Sequence, residues 1–231
     1  MSKDTIVDKE TFKFNSSGFN RHFSSLGSKV RNSIYRRFLE LTQIAENESV
    51  LDVGVSAEST LDDVNFFEKH YPYKNRIAAV GLSSSSELES MYPGLRYFCA
   101  DAKEMPFNDG EYDYVFSSAV IEHVGSRHEQ TRFLKELNRV ARKGVFITTP
   151  NRWFPMELHV VLPFIHWLPP RVFRKTLQAL KKEPLHLEEN LNLLSRNDLR
   201  TLCNSCGIKT YSILGQKLFG MTSNLLLYIS R

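Results

Sequence analysis

The chain of 231 residues reads as an α/β domain built on a doubly wound, mostly parallel sheet of seven strands. Three observations carry that reading. Five short apolar runs alternate with helix-length amphipathic stretches, the pattern of right-handed βαβ crossovers with helices on both faces of a parallel sheet. Two further runs near the carboxyl end are joined too closely for a crossover helix, so they pair antiparallel and the last strand opposes the others. A content of 42% apolar and 24% charged residues is that of a globular domain able to bury one sizeable core.

The elements follow in order. Val30, Ile34, Phe38, Leu41 and Ile44 recur every three or four residues, an amphipathic helix. Residues 1–48 are therefore expected to form an N-terminal helical segment, a candidate lid, ahead of a domain spanning 49–231. Residues 49–54 predict the first strand, ending at the turn glycine Gly54, and 60–69 a helix. Residues 76–81 predict the second strand and 86–91 a short helix. Residues 95–100, closed by Asp101, give the third strand, and 112–117 the fourth. A helix then carries Phe133, Leu134, Leu137 and Val140 on one face, and 145–149 form the fifth strand, stopped by Pro150. Residues 151–190 read as an insertion with a helical part. A helix over 197–204 and strands over 208–214 and 224–229 complete the chain.

Charge and cysteine content exclude several classes. A net charge of +4 is too small to imply nucleic acid, and no nucleic-acid module is present. The three cysteines have no framework spacing. Cys203 and Cys206 form a C-x-x-C inside an expected helix, without the second pair that a zinc site needs, so no metal is expected. Free thiols, a polar start and no run of roughly 18 apolar residues predict a cytoplasmic protein. Between residues 160 and 182 stand Arg171, Arg174, Lys175, Lys181 and Lys182 with no acid. This basic stretch follows an apolar loop. The pair suits peripheral contact with an anionic membrane, and equally a helical insertion that packs its apolar side inward.

Four segments give the chain a family resemblance. Leu51-Asp52-Val53-Gly54 ends the first strand, Asp101-Ala102 follows the third, and Tyr112 to Val124 runs through the fourth strand into Glu122-His123. The segment 136–144 continues the last of these. In order and spacing they resemble the class I S-adenosylmethionine-dependent methyltransferases, closest to the small-molecule, type 11-like branch, from about residue 49 to 229. The resemblance implies a Rossmann-like sheet with S-adenosylmethionine along the carboxyl ends of its strands.

It also implies roles. Gly54 would let the backbone approach the methionine part of the cofactor, with Asp52 bearing on its ammonium group. Ser56 and Glu58 stand where the family has further glycines. Gly81 stands where the family has a ribose-binding acid, for which Ser83, Ser84 or Glu87 is the expected substitute from the next turn. Asp101 would accept the adenine amino group and the Ala102 amide would serve a ring nitrogen. Ser118 and Ala119 would lie along the cofactor, and His123 is the candidate base facing an acceptor. Asn151, Arg152, Glu157 and His159, a dense polar set after the fifth strand, are expected to hold the acceptor.

The expected function is methyl transfer to a small or medium acceptor, with a sugar or a glycolipid intermediate of surface-polysaccharide synthesis as the class. The altered positions Ser56, Glu58 and Gly81 motivate an alternative, a non-catalytic methyltransferase-like binding module. A nicotinamide dehydrogenase is disfavoured because G-x-G-x-x-G is missing.

Overall fold

The computed structural model describes residues 18–56, 65–83, 87–157, 162–182 and 185–231. Strand β1 (Val50–Val53) is buried along its whole length, as is β2 (Ile77–Gly81). Parallel strands covered on both faces have no wet side, hence their continuous apolar runs. β3 (Arg96–Cys99) lies at the edge and is partly exposed. β4 (Tyr112–Ser118) and β5 (Ala141–Pro150) follow. A short hairpin of β6 (Met156–Glu157) and β7 (Leu162–Pro163) lies outside the main sheet, which β8 (Tyr211–Leu218) and β9 (Met221–Ser230) close.

The strand order is β3-β2-β1-β4-β5-β9-β8. The first five strands are parallel, and β9 runs antiparallel to both of its neighbours. Seven strands with an antiparallel last one is the architecture predicted from sequence. The closing hairpin begins later and reaches further than the apolar runs indicated. Leu218 pairs with Met221 across Phe219 and Gly220, both at positive φ, and this tight turn extends the ladder through residues with no apolar signal.

Period-two alternation divides the sheet into two cores. Leu51, Val53, Val80, Val115 and Ile147 face α4 (Arg127–Val140) and α6 (Arg196–Ser205), meeting Phe133, Leu137 and Leu202. Cys203 is buried in this core, which pushes its thiol up to about 12, and Cys206 follows the end of α6. Val50, Ile77, Tyr114, Phe116 and Phe146 face the opposite way. They meet Ile34 and Phe38 of α1 (Gly18–Thr42), Phe67 of α2 (Phe66–His70) and Leu88 of α3 (Leu88–Met91). Of the helix expected over 60–69, residues 57–64 lie outside the described ones. The insertion carries α5 (Pro170–Ala179), which packs Phe173 and Leu177 against Leu185, Leu191 and Leu193 as a third, smaller core.

α1 begins at Gly18, ahead of the apolar period that reveals it, and lies against the sheet. Phe38 is fully buried, with its ring edge-on to Phe67, Tyr114, Phe116 and Phe146 at 5.4, 6.5, 5.3 and 5.6 Å between centroids. The Tyr114 hydroxyl donates to the Thr42 carbonyl at 2.8 Å, pinning the helix end. Phe38→Ala should lower unfolding free energy by about 3–5 kcal/mol. A urea titration showing a loss below about 1 kcal/mol would mean that α1 is not docked in solution.

Candidate active site

The chain leaves β1 towards β2 on one side and returns to β4 on the other. At such a reversal the connecting loops diverge and open a crevice beyond the carboxyl ends of the strands. A cavity of about 240 Å³ opens there, walled by Asp52 to Ser56, by Ser118 and Ala119, by the start of α2 and by α1.

Gly54 shapes its rim. Its φ is +98°, and a Cβ at this position would lie 2.2 Å from Cγ2 of Val120. Its amide donates to the Val80 carbonyl at 2.8 Å, which holds the strand end open without a side chain. Ser56 is held by Asn65, whose side chain accepts from the Ser56 amide at 3.2 Å and donates to the Ser56 carbonyl at 3.0 Å. Asn65 is itself left-handed (φ 56°), a conformation that asparagine tolerates better than most residues. The two bonds tie Ser56 to Asn65, and Glu58 lies outside the described residues. Ala119, on the opposite wall, is also left-handed at φ 56°. Its amide donates to the Thr148 carbonyl at 2.9 Å, and Ser118 and Thr148 share a hydroxyl bond at 2.9 Å.

The cavity floor is acidic. Asp52 is 6% exposed and Glu68, from α2, is fully buried. Burial raises the Asp52 carboxyl well above the usual carboxylate range, and the neighbouring Glu68, hydrogen-bonded to it, adds to the rise. Burial raises Glu68 as well, against its bond to Asp52 and the nearby Lys74. Both carboxyls therefore favour the protonated form more than a solvated carboxyl does. Arg31 and Tyr35, four residues apart on one face of α1, reach the same cavity. No motif revealed Glu68, Asn65, Arg31 or Tyr35. The available signal was a charge set in an aromatic run at Phe66-Phe67-Glu68, which has no place in a wholly apolar core.

The structure gathers Asp52, Gly54, Ser56, Ser118 and Ala119 around one cavity. Ser83, Asp101 and Ala102 stand further along the same sheet edge, after β2 and β3. At Gly81 a Cβ would meet the Val55 carbonyl oxygen at 2.7 Å and the Tyr97 hydroxyl at 2.8 Å, so no side chain fits there. The Tyr97 hydroxyl donates to the Ser83 carbonyl at 2.8 Å. Asp101 is exposed, and its Oδ1 accepts from the Lys103 amide at 2.9 Å.

His123 lies in the turn after β4, outside the cavity wall. Its Nδ1 is 2.6 Å from the Asn190 carbonyl and its Nε2 is 3.9 Å from Oε1 of Glu122. A carbonyl only accepts, so Nδ1 carries a proton and donates it to Asn190. Glu122 is fully buried and accepts from the Thr149 hydroxyl at 2.8 Å. Among the expected acceptor residues, Asn151 is used by backbone, donating to the Thr222 carbonyl at 2.9 Å and accepting from the Trp153 amide at 3.2 Å. Arg152 donates to the Leu168 carbonyl at 3.3 Å and lies over the Trp153 ring. Glu157 pairs with Leu162 in the small hairpin, and His159 lies outside the described residues.

The comparisons agree with this geometry. Residues 51–148 match the family model for the methyltransferase domain, from β1 through most of β5. Over these residues the chain is similar to the methyltransferase domain family. Magnesium protoporphyrin IX methyltransferase from Synechocystis PCC 6803, solved with bound SAH, is 12% identical. It aligns over 94% of this chain and 89% of its own with a TM-score of 0.56. An S-adenosylmethionine-dependent methyltransferase from Methanosarcina mazei is 16% identical over 81% of this chain and 93% of its own, TM-score 0.51. One from Aquifex aeolicus is 15% identical over 88% and 97%, TM-score 0.54. Identities this low speak to the fold. S-adenosylmethionine is the methyl donor named for the Methanosarcina mazei neighbour, and the Synechocystis enzyme holds bound SAH.

The residues present suit the amino-acid end of that cofactor: a glycine rim with no room for a Cβ, and buried carboxyls matched to a cation. The cavity is smaller than the roughly 300–1,000 Å³ of a whole-ligand site, so an adenosyl group must extend along the sheet edge. Gly54→Ala forces both positive φ and collision. It should cost about 1–3 kcal/mol of stability and abolish binding of S-adenosylhomocysteine in calorimetry. Unchanged affinity would show that the rim is not part of the site.

Proposed function

We propose that the methyltransferase domain transfers a methyl group from S-adenosylmethionine to a small or medium-sized acceptor, the class being a sugar or lipid-linked intermediate of surface-polysaccharide synthesis. The observation that carries methyl transfer is the cavity at the β1–β4 reversal, with its glycine rim and buried acidic floor. When bound, S-adenosylmethionine supplies an electrophilic methyl carbon on a good leaving group. The protein's task is then mainly alignment, which can contribute about 7–11 kcal/mol when donor and acceptor are held in line.

In this reading Asp52 meets the ammonium group, with Gly54 and Ser56 beside it, and Ser118 and Ala119 run along the cofactor. Ser83 serves the ribose, and Asp101 and Ala102 the adenine. His123 takes the acceptor's proton on Nε2, and the Glu122 carboxylate behind it favours the resulting imidazolium. Asn151, Arg152, Glu157 and His159 border the acceptor.

Calorimetry with S-adenosylmethionine and S-adenosylhomocysteine tests the reading directly. Asp101→Ala should weaken binding about tenfold. With a hydroxyl acceptor, His123→Ala should lower turnover by about 10²–10⁴-fold while leaving the affinity for S-adenosylhomocysteine unchanged. No binding of either compound at millimolar concentration would overturn the enzymatic reading and leave the non-catalytic module.

A lipid-linked acceptor agrees with the surface around residues 160–182. Trp153, Phe164, Trp167 and Leu168 are exposed next to one another in the fold, with the Phe164 and Trp167 rings 4.9 Å apart. α5 buries Phe173 and Leu177 and turns Arg171 and Lys175 outward, while Arg174 is spent on Glu188 at 2.8 Å. Exposed tryptophans beside cations suit an anionic bilayer surface. Among the described residues no helix is long and apolar enough to cross a membrane. The protein should sediment with phosphatidylglycerol vesicles, and Arg171→Glu with Lys175→Glu should release it. Equal binding to phosphatidylcholine vesicles, or no effect of the double variant, would exclude this contact.

A further inference from the structure

The residues that meet the floor of the cofactor cavity present an electrostatic problem. Asp52 stands in β1 next to its last residue, Glu68 lies in α2, and both line the cavity. Both Glu68 carboxylate oxygens are buried. Glu68 belongs to no motif of the resemblance described above. An ionised pair placed this way would be two like charges in contact, out of water.

Lys74 offsets it only in part, since Glu68 stays raised beside it. Lys74, the nearest lysine, directs its amine to the carbonyls of Glu68, Lys69 and Tyr71. Three carbonyl acceptors need all three N–H groups of an ammonium. Arg31 and Tyr35 reach the cavity from α1. Tyr35 and Tyr92 are pushed above their ordinary value by burial, and Tyr71 is pushed up to about 12, so all three stay neutral between pH 6 and 8. The floor thus presents two buried carboxyls, both pushed above their ordinary range, to an open cavity that Arg31 also lines.

We propose that Asp52 and Glu68 together form the receptor for the cofactor's α-ammonium group, and that binding exchanges their shared proton for that cation. The inference rests on the reading of this cavity as the S-adenosylmethionine site, and adds Glu68 and a proton to it. The balance is simple. The free pair holds one proton and one negative charge. As the ligand's –NH₃⁺ enters, the proton leaves to solvent, and two carboxylates remain against one ammonium. Glu68 thereby becomes a specificity residue, since a ligand without the ammonium gives the pair no reason to ionise.

Proton release fixes the sign of the pH dependence. Binding that releases a proton strengthens as pH rises and weakens as pH falls, by up to about tenfold in Kd per pH unit. The effect is present while the free pair is protonated and the bound pair is not.

The test is calorimetry with S-adenosylhomocysteine, which carries the ammonium but no sulfonium charge, at pH 6, 7 and 8. Paired buffers of low and high ionisation enthalpy, phosphate and Tris, count the protons released. The wild type should release close to one proton per ligand and bind more tightly at higher pH. Glu68→Gln should reduce the release. Asp52→Asn combined with Glu68→Gln, which has no carboxyl left to titrate, should abolish it and flatten the pH profile. 5′-Methylthioadenosine, which keeps the adenosyl group and lacks the amino-acid end, should bind the wild type and both variants without releasing protons. Its binding also shows that the variants are folded.

Binding of S-adenosylhomocysteine without proton release, or wild-type release by the double variant, overturns the proposal and leaves the cofactor site standing. So does binding of 5′-methylthioadenosine alone. If neither compound binds the wild type, the cofactor reading of the cavity fails and the proposal fails with it.

Discussion

The reversal of strand order between β1 and β4 is the constraint on which the rest of this molecule depends. Parallel strands can be joined only by crossovers, so all five parallel strands deliver their carboxyl ends to one edge. Where the chain switches sides, the loops after β1 and β4 part and a cavity opens between them. Gly54 is placed where a Cβ would collide with Val120, and Asp52 lies within a fully buried strand. Neither position has meaning apart from the switch.

The two faces of the sheet contribute differently. The side bearing α4 and α6 is a conventional apolar core of leucine, valine and phenylalanine. The side bearing α1 and α2 is aromatic, with Phe38 set edge-on among four rings and Phe67 stacked on Phe116. That stack brings the start of α2 to the end of β1, and so places Glu68 beside Asp52. The packing energy of the aromatic cluster holds two carboxyls together that repel each other when ionised. A site that concentrates unfavourable charge must be supported by contacts outside it, and here those contacts are rings.

Departures from the family pattern have local physical causes. At Gly81 the Tyr97 hydroxyl and the Val55 carbonyl occupy the space a side chain would need, so the acid expected at that position has no room. After β1, Asn65 ties down Ser56 by two hydrogen bonds, doing with a side chain part of what additional glycines would do with backbone freedom. The turn after β4 is bound to the insertion, with the Asn192 amide donating to the Glu122 carbonyl at 2.7 Å and His123 engaging Asn190. The insertion therefore sets the orientation of the histidine, which links the acceptor side of the protein to the strand carrying the cofactor wall.

By itself the sequence determined the seven strands of the main sheet, their order along the chain, the antiparallel close and the glycine at the end of β1, but not the β6–β7 hairpin. These depend on apolar periodicity and local turn chemistry, which reach only a few residues along the chain. It also pointed to Asp52, Ser118 and Ala119, because they stand at strand ends that any such sheet brings together. Tertiary structure alone decided that Glu68, Asn65, Arg31 and Tyr35 share the cavity. Each lies on or beside a helix, where the pattern tells which face is apolar but not which strand end that helix will cover. It also decided that Asp101 accepts from its own turn and that Asn151 is engaged by backbone carbonyl and amide groups. A polar residue in a loop is equally suited to a ligand or to the chain, and only the fold settles which donors and acceptors come within reach.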